Sequence, residues 1–338
     1  MIRVAGAALV LVLAACSAPT STHERSLHTF GTSVRIELRG LNTADASVVA
    51  DQIERSLNRW NHDWYAWGDG ALGSLNQTLA NATVATTSAD IGALLSAAKL
   101  MRTRSGGLFD PTVGELVELW QFDDLSATTD DLPESTELDS ARANAAFTVD
   151  LENGQAIIRT ERAGVQFDLG GIAKGYALAE LERELRAASV PAAIVDIGGD
   201  VLVIDANANS AMTIGIVNPR GTGTLAHVVA NDGEAVVTSG DYARYREIDG
   251  QRYHHIIDPR TGRPGTGARA VTVIDRDPVL ADAAATALMI AGSALFHETS
   301  RRMGVEFALM IDADGNALTT PAMRERLHGL RETAGVTP

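Results

Sequence analysis

The chain has 338 residues, 45% of them apolar and 21% charged, with a formal net charge of −15 and a pI near 4.9. That length and apolar fraction suffice for one large core or two smaller cores in contact, and leave little of the chain for disorder. The acidity argues against a phosphate-backbone partner, because nucleic-acid affinity comes chiefly from Lys and Arg neutralising phosphates, so no nucleic acid is expected.

The first segment, MIRVAGAALVLVLAAC, carries Arg3, an apolar run from Val4 to Ala15, and small residues just ahead of Cys16. The run falls short of the roughly 20 apolar residues that a membrane-spanning helix needs, and has the shape of a cleaved export signal over residues 1–15. Leu13-Ala14-Ala15-Cys16 resembles a bacterial lipobox, in which the cysteine is acylated and becomes the new N-terminus. Cys16 is the single cysteine, so no disulfide can form within the chain. Residues 16–27, including SAPTSTHERS, read as a polar lipoprotein tether. The expected location is the bacterial cell envelope, lipid-anchored at Cys16 and facing the periplasm, with the choice of inner or outer membrane left open.

Residues 28–330 read as one unit. Val34, Ile36 and Leu38 alternate as a half-buried strand; residues 44–60 and 89–103 carry helix-period apolar positions, the second opened by Ser88 and closed by Gly106. Residues 123–145, rich in Asp, Ser, Thr and Glu, read as a surface excursion. Asn153-Gly154, Asp232-Gly233 and Asp249-Gly250 each lie between apolar runs, as tight antiparallel turns require. That density of turns, without regular strand–helix spacing, predicts an α+β fold: a two-lobed unit with mainly antiparallel sheets and packed helices.

Four stretches can carry chemistry. QFDLGGIAKGYALAEL, 166–181, breaks at Asp168, passes Gly170 and Gly171, and enters a helix bearing Lys174, one of only two lysines. Glycines at a helix start admit a close backbone approach, and the helix dipole favours an anion; the same residues also suit a tight strand-to-helix turn with a snorkelling lysine. It is not a P-loop, since the Gly-Lys-Ser/Thr order is missing. In ADAAATALMIAG, 281–292, Asp282 and Thr286 stand four residues apart on one helix face, where a carboxylate and a hydroxyl can share a hard cation or act as a cap and a backbone-bonded threonine. YHHIIDPRTGRPG, 253–265, brings His254 and His255 to opposite faces of a strand end, one of them free to act as a base, with Asp258 following in a turn. SGGLFDPTVGELVELWQF places Asp110 before Pro111 as a helix begins.

Together with HTFGTSVRIEL, LGSLNQ, VDIGGDV and SGDYARYREIDGQRYHHIIDPRTGRP, these stretches resemble, in order and over residues 28 to about 310, the FAD:protein FMN transferases, the ApbE-type flavin transferases long called thiamine-biosynthesis lipoproteins. The resemblance implies a Mg²⁺-dependent enzyme that cleaves FAD at its diphosphate, transfers FMN to a Thr or Ser hydroxyl of an exported acceptor flavoprotein, such as a membrane redox-complex subunit, and releases AMP. Magnesium ligands carry over onto the side chains of Asp282 and Thr286 and the carbonyls of Ala285 and Gly171. Flavin contacts carry over onto Phe30, Leu108, Phe109, Asp110, Asp168, Lys174, His255 and Ile256. Phe30 stands where many relatives have methionine. A stacking aromatic is assigned to Trp67, with Trp64 and Tyr65 as rivals. His255 is the expected base for the incoming hydroxyl, and Asp258 either orients it or caps its own turn. Two other readings are an FAD pyrophosphatase, with water as acceptor, and a non-catalytic FAD-binding lipoprotein.

Overall fold

Alternation in THERSLHT and TSVRIELR builds the first hairpin, Thr22–Thr29 with Thr32–Arg39, in full antiparallel register. Val34, Ile36 and Leu38 turn into the core. Phe30 and Gly31 make the connecting turn, both with left-handed φ (53° and 66°), which matches the twist of a two-residue hairpin. A phenylalanine in that region carries roughly 1–2 kcal/mol of local strain. The computed structural model describes residues 21–123, 131–141, 145–206 and 211–330. The expected export signal and Cys16 lie outside the described residues, as do 124–130 and 142–144 of the expected surface excursion.

The hairpin corrects one expectation: residues 22–27, assigned by their polarity to a tether, are strand. An edge strand is recruited by backbone pairing and exposes half of its side chains, so a polar sequence suffices. Leu27 packs on the core, and Arg25 pairs with Asp51 and Glu54 of the helix Thr43–Asp63.

Eight strands cross the main sheet in the order they occur in the chain: Thr22–Thr29, Thr32–Arg39, Ala192–Ile197, Asp200–Asp205, Ala235–Gly240, Ala268–Asp275, Phe307–Asp312 and Ala317–Thr319. Every neighbouring pair is antiparallel. Helices cover one face; a three-stranded sheet of Met212–Val217, Thr224–Ala230 and Leu327–His328 covers the other through Val201, Val203, Ile274 and Leu309. Asp232-Gly233 is therefore not a hairpin: it carries the chain from the small sheet to the main one, and its flanking strands pair elsewhere. Asn153-Gly154 and Asp249-Gly250 do close hairpins.

The second lobe is the sheet of Val84–Ser88, Gln155–Thr160 and Phe147–Glu152, packed on the helix Ala89–Ser105. That helix is capped by Ser88 and ended by left-handed Gly106. Within the expected excursion, Ser135–Ser140 is a short helix whose Leu138 is buried with Leu116 and Trp120. The expected helix start at Pro111 comes later, at Gly114–Leu119, because Asp110 first binds Thr112 in a turn.

Two helices position the site. Pro278–Met303 is long and apolar enough to cross a membrane by composition, with a mean hydropathy of 1.8, yet 78% of that window is buried inside the protein. It breaks at Gly292 (φ 62°, ψ −175°), where Gly267 presses against it. The helix Ala173–Ala187 crosses it at Gly175. A Cβ on Gly175 would lie 2.3 Å from the Pro278 carbonyl oxygen and 2.7 Å from Asp282 Cβ.

Alanine gains about 1 kcal/mol over glycine in helix propensity, but overpacking a rigid crossing costs about 1–3 kcal/mol. Gly175→Ala is therefore expected to lose about 1 kcal/mol in a urea titration; a stabilised variant would mean that the two helices part freely here.

Candidate functional site

The pairing register brings several turns to one end of the main sheet. The Phe30–Gly31 turn lies beside the Gly198–Gly199 turn, since Val34 pairs with Ile197 and the Gly198 N–H bonds to Ser33. Asp200 follows that second turn, and the end of Ala235–Gly240 reaches it, its Thr238 N–H donating to Asp200 at 2.9 Å. The glycine loop and Asp282 meet at the same place.

The loop's glycines are not needed for left-handed backbone, because neither Gly170 nor Gly171 has positive φ. They are needed for space. A Cβ on Gly171 would stand 3.0 Å from Thr286 Oγ1 and 3.4 Å from the Phe109 ring. The following helix starts at Ala173 with Ile172 as its N-cap, a residue with no side-chain acceptor. Asp282, from the other helix, supplies one: its Oδ2 accepts the Gly175 N–H at 2.8 Å. Negative charge at a helix N-terminus is favourable, so Asp282 caps a helix 107 residues earlier in sequence. One consequence follows for Gly171. The Gly175 N–H would otherwise close on the Gly171 carbonyl, which is left without a backbone donor among the described residues.

Thr286 also departs from the habit of helical hydroxyls. Ser96, Thr103 and Ser300 each bond back to the carbonyl four residues earlier. The Thr286 hydroxyl has no hydrogen-bond partner among the described residues. Asp282, Thr286 and Gly171 thus present a carboxylate, a free hydroxyl and a free carbonyl around one point, with Ala285 on the same helix. Those are oxygen donors of the kind that hard cations take. No group of three or more acidic, His or Cys side chains suited to a metal occurs among the described residues, so a single carboxylate would have to be joined by neutral oxygens.

Four ionisable side chains surround this point, Asp200 and Asp282 buried, Lys174 and Asp168 partly so. Lys174 Nζ donates to Asp200 Oδ2, and the Asp200 side chain is fully buried. Burial opposes the lysine's charge, but Asp200 and Asp282 together more than offset it and hold the ammonium above its ordinary range. Burial pushes the Asp282 carboxyl up to about 6, against the pull of Lys174 and with Asp200 adding to the rise. Asp168 accepts the Gly170 N–H at 2.9 Å; burial raises its carboxyl, with Gly170 and Arg244 opposing.

His255 sits on the far side, after the hairpin Tyr245–Ile248 with Gln251–His254. Both its backbone N–H and its Nδ1 bond to the Arg244 carbonyl at 3.1 Å. A carbonyl only accepts, so Nδ1 carries the proton and Nε2 keeps its lone pair. Burial drives the imidazole down to about 4, and the positive charges of Arg244 and Lys174 help, leaving it neutral at neutral pH. His254 points the other way, buried, with Nε2 bonded to Gly265. Asp258 does not orient His255: its carboxylate grips the Arg260 backbone and guanidinium, and its carbonyl closes the turn onto Gly262. The turn-capping alternative is the one found.

The remaining carried-over residues divide. Phe30 is half-buried against Trp64, with its N–H on Asn61. Phe109 backs the glycine loop, and Leu108 and Ile256 are buried beside it in the core. The Asp110 carboxylate is spent on Thr112 and, at 3.1 Å, on Arg102. Trp64 is a core residue stacked on Trp60, and Tyr65 is exposed with its ring edge-on to Trp67. Trp67 lines a cleft of about 510 Å³ with Asn76, Glu118 and Gln166, and its buried indole Nε1 has no hydrogen-bond partner. Of the three aromatics, Trp67 is the one that lines this cleft. Sequence reasoning missed Asp200 and Arg244, although both stand inside quoted motifs, VDIGGDV and SGDYARYRE.

A family model described as the ApbE family matches residues 30–309. The chain belongs to the ApbE family. A curated relative from Rhodobacter capsulatus, named FAD:protein FMN transferase, is 35% identical over 93% of this chain and 60% of its own length. One of the same name from Treponema pallidum is 35% identical over 66% of each, and one from Vibrio cholerae 31% identical over 84% of this chain and 86% of its own. The chain thus spans about two thirds or less of the first two relatives. Among solved structures, the ApbE protein of Thermotoga maritima superposes with a TM-score of 0.81 at 29% identity, covering 92% of this chain and all of that one. The flavin transferase ApbE of Vibrio cholerae gives 0.73 at 26%, covering 91% and 100%. The mixed helical and antiparallel architecture is the ApbE fold.

His255 gives a pH signature. Its folded-state value lies below its ordinary 6.5, so its contribution to stability is complete above about 6.5 and is lost as pH falls toward 4. The stability advantage of wild type over His255→Gln, which cannot titrate, is expected to shrink between pH 7 and pH 4.5 in urea titrations. A gap that stays constant would place the imidazole in open solvent.

Proposed function

We propose that this chain is a Mg²⁺-dependent FAD:protein FMN transferase. It attaches FMN from FAD, through a phosphoester, to a Thr or Ser of an exported acceptor protein and releases AMP. The observation that carries this reading is the meeting of Lys174, Asp282, Thr286 and the Gly171 carbonyl at one end of the sheet, with neutral His255 facing them. Family membership and the relatives' printed names supply the substrate class.

The residues fit the metal. A buried carboxylate raised to about 6, an unpartnered hydroxyl and a carbonyl freed by the Asp282 cap are oxygen donors for which a divalent cation is the natural complement. Asp282 and Thr286 would hold it with their side chains, and Gly171 and Ala285 with their carbonyls. When bound, it neutralises charge on the diphosphate and on the departing AMP.

The chain's own groups do the rest. Nε2 of His255 takes the proton of the acceptor hydroxyl, whose oxygen forms the new bond to the FMN phosphorus. The bond from that phosphorus to the bridging oxygen breaks, and AMP leaves with its electron pair. Lys174, kept charged by Asp200 and Asp282, stabilises the phosphoryl oxygens. Asp168 and the Trp67 cleft are assigned to the flavin nucleotide. Asp258 and the Asp110 carboxylate are given no role in the transfer. Export and anchoring through Cys16, facing the periplasm, belong to the same proposal and rest on the lipobox-like Leu13-Ala14-Ala15-Cys16.

Asp282→Asn keeps an acceptor for the Gly175 N–H but removes the charge. With FAD, Mg²⁺ and an exported acceptor flavoprotein, wild type is expected to give covalent FMN fluorescence in a denaturing gel and stoichiometric AMP; the variant should lose at least about a hundredfold in AMP release, of the order seen when one transition-state electrostatic contact is removed, with little change in thermal unfolding. Activity that persists in EDTA would refute the metal assignment. Free FMN without the covalent adduct would make the chain a pyrophosphatase, and no AMP at all a flavin binder.

A further inference from the structure

Arg244 lies where the Ala235–Gly240 strand gives way to the Tyr245–His254 hairpin, and its guanidinium reaches back to the Phe30–Gly31 turn. Nη2 stands 3.4 Å from the Phe30 carbonyl, and a Cβ on Gly31 would be only 2.8 Å from it. Two arginines of the surrounding loops have been given an acid each, Arg220 with Asp241 and Arg260 with Asp258. In a chain with 43 acidic and 28 basic residues such partners are plentiful. Arg244 has no carboxylate partner among the described residues, and its side chain is exposed. It is nevertheless close enough to act electrostatically on Asp168, Lys174 and His255, which lie on different elements. An exposed arginine beside such a ring, held by one long bond to a neutral carbonyl, has most of its five donors free for an incoming anion.

We propose that Arg244 is a phosphate-binding residue, its guanidinium joining Lys174 on the diphosphate of the bound dinucleotide and pinning the hairpin to the Phe30–Gly31 turn. This rests on the flavin-transferase reading. It also assigns a purpose to the strained turn, since left-handed Phe30 directs its carbonyl to the guanidinium that waits for the phosphate. The backbone of Arg244 has the separate task of holding His255, and a side-chain substitution leaves that carbonyl in place.

The test compares FAD with riboflavin, which has the same ring and no phosphate, by calorimetry or flavin-fluorescence titration of wild type, Arg244→Met and Arg244→Lys. Charge-assisted bonds to phosphate predict FAD binding weakened about tenfold to a hundredfold in Arg244→Met. Riboflavin binding should stay within about twofold, and Arg244→Lys should fall between, having charge without the fork. Equal losses for both ligands would mean that Arg244 only places the hairpin, and unchanged FAD binding would remove it from the site; either result overturns the proposal. If wild type itself binds no FAD, the flavin-nucleotide reading fails and takes this inference with it. Wild-type binding with an indifferent Arg244→Met sinks the inference alone.

Discussion

At Gly175 a helix that lacks a capping side chain meets a carboxylate from a helix more than a hundred residues later. The 2.8 Å bond from the Gly175 N–H to Asp282 does three things at once. It satisfies an N-terminal donor that Ile172 cannot, and it fixes the crossing of the two helices at a point where no Cβ fits. It also diverts that donor from Gly171, whose carbonyl stays available. A site that combines a carboxylate, a hydroxyl and a main-chain carbonyl from two remote segments needs their relative position held to within a fraction of an ångström. The close approach provides this, because helices that touch backbone to backbone have no side-chain layer to deform.

The same crossing concentrates charge where water is scarce. Two buried carboxylates and one partly buried ammonium leave a net negative charge that burial penalises, and the Asp282 carboxyl responds by rising to about 6. Lys174 alone balances one of the two carboxylates. A divalent cation beside Asp282 would turn the local balance positive, which is what an anionic diphosphate approaching a protein of net charge −15 requires. The acidity that argues against nucleic acid at the level of the whole chain is thus compatible with a phosphate ligand, provided the compensating charge is local and desolvated.

How far the sequence disclosed this depended on how local each signal was. Helix caps at Ser88 and Gly106, the alternation of Val34, Ile36 and Leu38, and the Asn153-Gly154 and Asp249-Gly250 turns are set by neighbours in the chain, and the structure has them as read. Asp232-Gly233 has the same turn chemistry, but whether two strands joined by a turn pair with each other is decided by the sheets on either side. The polar strand Thr22–Thr29 looked like a tether because its partner, not its own hydrophobicity, makes it a strand. At the site, resemblance brought the glycine loop and Asp282 together, while their physical link, a cap across the two helices, has no signature in either segment. Arg244 and Asp200 went unremarked for a related reason. An arginine without an acid and an aspartate facing a lysine become meaningful only when their surroundings are known.

The meander itself explains why such distant residues converge. When strands pair in chain order, alternate connections fall at the same end of the sheet, however many residues are inserted between them. The Phe30 turn, the Gly198–Gly199 turn and the 241–267 excursion are successive connections of that kind. Each contributes one element to the site: the Phe30 carbonyl, the Asp200 carboxylate, and Arg244 with His255. The two helices that carry Lys174 and Asp282 lie on the helical face of the same sheet. Three strand connections and a helix crossing therefore surround one volume, and the pieces are coupled by polar contacts between them, Lys174 to Asp200, Asp200 to Thr238, and Arg244 to both Phe30 and His255. A displacement of the hairpin would move the guanidinium and the imidazole together, since the first is the side chain and the second hangs on the carbonyl of one residue. On the proposed reading, phosphate grip and base orientation would both depend on this single backbone position, so that the geometry competent for proton removal would also be the geometry that holds the group to be attacked.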